Sequence, residues 1–139
     1  MRRASGGAVA LLAVTASAFA PLASACPTVE QGFRRLASPD AEVAYRWEPA
    51  ELKIGQFFTA EVVTCGTREQ EPVREITIDA TMPAHGHGMN YRPTATRTAP
   101  GHYRFTGLML HMPGTWRVTI DVHQGGKRTR LTHEVILRP

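Results

Sequence analysis

Two short segments hold the residues best suited to chemistry: Met82-Pro83-Ala84-His85-Gly86-His87-Gly88-Met89-Asn90 and Met109-Leu110-His111-Met112-Pro113-Gly114. Together they carry every methionine after Met1 and three of the six histidines. Thioether sulfur is a soft ligand that selects Cu(I), and imidazole suits copper in either oxidation state. Methionine also stays available where cysteine is drawn into disulfides. A cluster of His85, His87, Met89, His111 and Met112 therefore has the donor set of a copper site outside the cytoplasm, and Gly86 and Gly88 let the loop wrap so that alternate side chains converge. No Cys-x-x-Cys or His-Glu-x-x-His pattern accompanies it. Two other readings of the same residues stay open. In one, His85 or His87 ties the loop to backbone carbonyls while Met89, His111 and Met112 pack. In the other, the loops form a rigid docking surface.

The remaining candidates are structural. Met82 and Met109 continue the apolar parity of the strands before them and are expected in the core. His102, His123 and His133 fall on strands or beside a turn, Trp47 and Trp116 on buried faces, and Arg92, Arg97 and Arg104 on a solvated face. For hydrolysis, Ser38 is the one serine after residue 25 and lacks a Gly-x-Ser-x-Gly setting. Asp79 and Asp121 are strand residues pointing outward, so no carboxylate pair reaches the His/Met end. We expect a protein that is not an enzyme.

Where the chain works follows from its first residues. Arg2 and Arg3, an apolar run over 8–20, and Ala23-Ser24-Ala25 read as a secretory signal over 1–25, with cleavage before Cys26. The run is too short to span a bilayer, and no later stretch is a better candidate for a transmembrane helix. A periplasmic location is expected. Sixteen Lys and Arg less Arg2 and Arg3 leave fourteen, against twelve Asp and Glu, a near balance spread without runs. Nucleic acid is not an expected partner. In an oxidising compartment Cys26 and Cys65 are read as a disulfide; the alternative is an outer-leaflet lipoprotein lipidated at Cys26.

The elements that must position the His/Met segments show period-two patterning broken by Gly and Pro, the mark of an all-β domain over 41–139. Residues 26–40 form a short leading segment, disulfide-tethered, with a helical turn expected over 29–36. Strands are expected at 41–47, 56–65, 74–82, 90–97, 102–110, 115–123 and 129–138: about seven, enough for an antiparallel β-sandwich. The buried parity takes in Val43 and Tyr45, Phe58, Ala60 and Val62, Ile76, Ile78 and Ala80, Tyr103 and Phe105, Trp116 through Val122, and Leu131, Val135 and Leu137. A hairpin turning at Thr98-Ala99-Pro100-Gly101 pairs residues whose numbers sum to about 199. That register sets Gly88 opposite His111 and His87 opposite Met112, bringing both segments to one end of the sandwich.

The lead-in Pro49-Ala50-Glu51-Leu52-Lys53-Ile54-Gly55-Gln56-Phe57-Phe58, the central Met82-Pro83 through Met89, Gly101-His102-Tyr103-Arg104-Phe105 and Met112-Pro113-Gly114-Thr115-Trp116 resemble the YtkA-like domain family. The likeness runs from about Glu42 to Leu137. More distantly the chain is similar to the exported domain of FixH-type proteins, which assist assembly of copper-containing respiratory oxidases, and to CopC-type copper carriers. The resemblance implies an immunoglobulin-like sandwich with a link to copper or to haem-copper electron transfer. The membrane helix of FixH-type proteins and the His-rich N-terminal arrangement of CopC-type carriers have no counterpart after Cys26. What transfers is the set His85, His87, Met89, His111 and Met112. The expected function is copper carriage or delivery to a copper-receiving or redox-complex protein, with a non-metal docking module for a membrane or haem-containing complex as the alternative.

Overall fold

The structure, a computed structural model, describes residues 26–28, 31–66 and 72–139. The expected signal segment lies outside the described residues. Nine strands follow in order: β1 (Arg34–Ala37), β2 (Glu42–Glu48), β3 (Phe57–Thr64), β4 (Val73–Met82), β5 (His87–Gly88), β6 (Thr94–Ala99), β7 (His102–Met109), β8 (Gly114–Gln124) and β9 (Lys127–Leu137). They form two antiparallel sheets, ordered β1-β2-β3-β7-β6 and β5-β4-β8-β9. With β1 set aside as an added edge strand, this is the immunoglobulin order, with β5 as a short extra strand beside the second sheet.

The core lies between the sheets because each strand alternates. In β4, Ile76, Ile78, Ala80 and Met82 are buried while Thr77, Asp79 and Thr81 are exposed. In β8, Trp116, Val118, Ile120 and Val122 face them from the next strand. From the other sheet come Val43 and Tyr45, Ala60 and Val62, and Phe105. All of these share one continuous cluster, and burial of that apolar surface is what holds the sheets together. Gly125 and Gly126, both at positive φ (55° and 74°), make the two-residue turn that closes β8 onto β9.

A second, smaller cluster lies on the outer face of the five-stranded sheet, where Phe33, Ala44, Val63 and Cys65 pack with Cys26. The disulfide Cys26–Cys65 holds it, with Cα atoms 4.9 Å apart, and the Arg46 guanidinium sits 4.8 Å over the Phe33 ring. The same face carries an ion-pair network: Arg46 with Glu61, and Arg104 with both Glu61 and Glu48.

Several expectations are corrected. There are nine strands among the described residues, not seven. Residues 34–37 are strand β1, paired with β2 from Arg34↔Tyr45 to Ala37↔Glu42, rather than part of a helical turn, because β2 offers them an open edge. The strand expected at 90–97 is Thr94–Ala99, since 90–93 crosses from one sheet to the other and Pro93 cannot donate to a ladder. Met109 is only half-buried. Gly107 has φ of 82° and two β7 residues, Thr106 and Gly107, stand against Thr59, a bulge that flips the parity. Leu108 and Leu110 fill the core instead.

Candidate functional site

Three turns meet at one end of the sandwich. After β4 the chain reverses tightly, with the N–H groups of His85 and Gly86 both donating to Met82 O at 3.0 Å; Gly86 supplies the positive φ of 68° that this turn requires. The short β5 then runs back, Thr81 facing Gly88 and Met82 facing His87. The second turn, between β7 and β8, carries His111 and Met112. The third, between β2 and β3, is fastened beside it by the Gly55 N–H donating to Leu110 O at 2.9 Å.

The two His/Met segments thus share one end, although not through the expected hairpin. The β6–β7 register does follow the expected spacing to within a residue or two, Arg97 facing Tyr103 and Ala99 facing His102. However, 87–88 pairs with β4 in the other sheet, so Gly88 is not opposite His111 on a ladder. The segments meet side chain to side chain. The His87 and His111 rings stack with centroids 5.2 Å apart and 28° between planes. His85, exposed, lies edge-on to His87 at 5.7 Å.

Trp116 is the residue that sequence reasoning left out of the site. It packs edge-on against both rings, 5.4 Å from His111 and 6.0 Å from His87, and its indole N–H donates to Met112 O at 3.0 Å. It closes the floor of the site while serving as the largest fully buried side chain of the core. Its place two residues past Gly114, where β8 leaves the His/Met turn, is the signal that could have found it.

The ring nitrogens are unequally engaged. Nδ1 of His87 lies 3.3 Å from Gly88 O, and donation there leaves Nε2 with its lone pair. Nδ1 of His111 is buried and has no hydrogen-bond partner. Met89 and Met112 are half-buried against the core, the Met89 N–H donating to Ala80 O at 3.1 Å. Among the described residues no three His, Cys, Asp or Glu side chains are gathered as a metal centre gathers its ligands. The side chains on these turns that could hold a metal are the stacked imidazoles of His87 and His111 and, as soft donors, the thioethers of Met89 and Met112.

The fold and this end define an antiparallel β-sandwich of immunoglobulin order with a His/Met cluster on its turns. Residues 37–121 match the YtkA-like family, and the chain belongs to that family. The match begins at the last residue of β1 and ends inside β8. A crystal structure of a DUF4426 family protein from Pseudomonas aeruginosa PAO1 is similar, with 15% identity over 78% of this chain and 98% of that chain and a TM-score of 0.48. No curated protein matches the chain. Among the described residues no helix is long and apolar enough to cross a membrane.

Proposed function

We propose that the protein is an exported, non-enzymatic copper-binding protein, a carrier or delivery factor. Copper as cargo, in the Cu(I) state, would be taken by His87 and His111 with the sulfurs of Met89 and Met112; His85 is the outer, exposed donor. The observation that carries this reading is the His111 Nδ1 atom, shut away from solvent without a partner beside the stacked His87 ring. Buried polar atoms are ordinarily satisfied, and an orphan calls for a ligand or a cost. The His87 Nδ1 contact with the Gly88 carbonyl would fix the ring with Nε2 turned outward, as metal-bound imidazoles commonly are.

Anaerobic Cu(I) titration of the purified protein against a competing chelator tests it. One equivalent should bind, with affinity falling at least about tenfold in a Met89→Ala, Met112→Ala variant and in a His85→Ala, His87→Ala variant. Equal binding by parent and both variants overturns the reading.

An exposed aromatic pair supports the second reading, a docking module for a membrane or haem-containing redox complex. Phe57 and Tyr91 are 57% and 49% exposed, with ring centroids 5.1 Å apart, at the same end of the molecule. That reading expects a specific partner to co-purify and to stay bound after chelator has stripped all metal.

A further inference from the structure

The four-stranded sheet is left open along β4. β5 covers only Thr81 and Met82, and Met89 adds one bond to Ala80 O. Before that point β4 has a ladder partner on one side alone, β8. In an antiparallel strand the N–H and C=O of one residue point to the same side, and the side alternates along the chain. Ala80 turns its carbonyl toward Met89, so Ile78 and Ile76 turn theirs the same way, away from β8. The N–H of Ala80 is occupied by Asp79 Oδ1 at 2.8 Å. Ile76 and Ile78 have no such cover, and among the described residues their outward backbone groups have no backbone partner.

This edge borders a groove of about 980 Å³ running between β4 and the β6 side of the other sheet. Its floor is apolar, from Ile76, Ile78 and Met89, and Tyr91 stands at its rim. Its charge is uneven. Arg74, Arg92 and Arg97 line it, all exposed, and none makes an ion pair among the described residues. Of the acids along it, Asp121 is held by Arg130, which leaves Glu75 and Asp79 against the three guanidiniums that make no ion pair. An unpaired strand edge is a template for another strand. Here the template is flanked by more positive than negative charge.

We propose that the β4 edge is a docking site for an extended acidic segment of a partner protein, added as a strand beside Ile76 and Ile78 with its carboxylates on Arg74, Arg92 and Arg97. Main-chain hydrogen bonds supply affinity in such strand addition, and alternate side chains supply selectivity. This site uses none of the imidazoles and shares only Met89 with the proposed copper ligands.

The probe is a short capped peptide of alternating glutamate and valine. On adding it to the 15N-labelled protein, the Ile76 and Ile78 amides should gain protection from hydrogen exchange. An Arg92→Glu, Arg97→Glu variant, changed only at exposed positions, should bind it at least about tenfold more weakly and take up the lysine–valine counterpart instead. A peptide N-methylated on every residue, which has no donor on either edge, should not bind. Unchanged exchange at Ile76 and Ile78, or equal binding by the N-methylated peptide, overturns the proposal. So does a dimer that protects those amides without peptide, because the occupant would then be a second copy of this chain.

Discussion

Gly114, at the start of β8, and Met82, at the end of β4, approach so closely that a Cβ on Gly114 would lie 2.8 Å from Met82 Cε. The φ of Gly114 is 125°, a value that L side chains rarely adopt. Backbone strain of this kind costs about 1–3 kcal/mol, and the buried Met82 side chain must also shift. Gly114→Ala should therefore lose about 2 kcal/mol of stability in urea unfolding. Adding Met82→Ala should not restore it, since the backbone strain stays. A loss below about 0.5 kcal/mol for the single variant, the range of neutral surface changes, would refute this account.

Tyr45 is fully buried, yet its hydroxyl has no hydrogen-bond partner. Burial pushes its pKa up to about 12, against a smaller opposing effect of Arg34. A buried hydroxyl without a partner costs about 1–3 kcal/mol of desolvation, so Tyr45→Phe should be as stable as the parent or up to about 1 kcal/mol more stable. A clear loss in thermal or denaturant unfolding would show that the hydroxyl is satisfied.

Stability should fall in acid in two separate windows. Burial, with Arg34 adding to it and Glu134 opposing, holds His133 below the ordinary histidine value of 6.5. As pH drops below that value the unfolded chain takes the proton first, so stability declines until the folded form is protonated too. His133→Gln should flatten this first decline. Asp121 behaves oppositely in charge but not in direction. The Arg130 hydrogen bonds hold its carboxyl below the ordinary 3.8, so its contribution is complete above that value and is lost as pH falls through the lower, folded one. Asp121→Asn should be less stable than the parent at neutral pH, and the gap should close in strong acid. A gap independent of pH would mean that the carboxylate charge is not what matters.

The disulfide joins cysteines 39 positions apart in sequence, which in the chain-entropy model stabilises by at most about 4 kcal/mol. A Cys26→Ala, Cys65→Ala variant should unfold at lower denaturant by up to that amount. The Arg46–Phe33 contact should loosen with it, and the core between the sheets should remain. Unchanged stability would place residues 26–33 outside the cooperative unit.

The legible part of this fold is the part whose pattern is local. The alternation over 76–82 and 116–122 names the buried faces because a strand shows its neighbours the same two faces along its length. β1 escaped because it exists only where β2 gives it an edge and Cys65 gives it an anchor, neither of which its own residues reveal. The Met109 parity failed at one residue. A lone glycine inside a strand, here Gly107, is the sign of a bulge, and it reverses every side chain beyond it. Hairpin arithmetic put the two His/Met segments at one end but by the wrong pairing, since 87–88 joins β4 in the other sheet, and the stacking of His87 on His111 depends on that unforeseen β5. Trp116 was read as core, and it is core; that it also floors the site follows from where β8 begins.

The disulfide and the imidazoles sit at opposite poles. Cys65 follows one end of β3, while the His/Met turns gather beyond the other, at Phe57, which faces Met109. The eight residues of β3 span about 25 Å at roughly 3.3 Å each. A chain held at Cys26, whether by a bead or a neighbouring protein, therefore presents its imidazoles on the far side. The knot at Cys26 keeps that bearing steady, because a pull on the leading segment is taken up at the disulfide before it reaches the turns that carry His87 and His111.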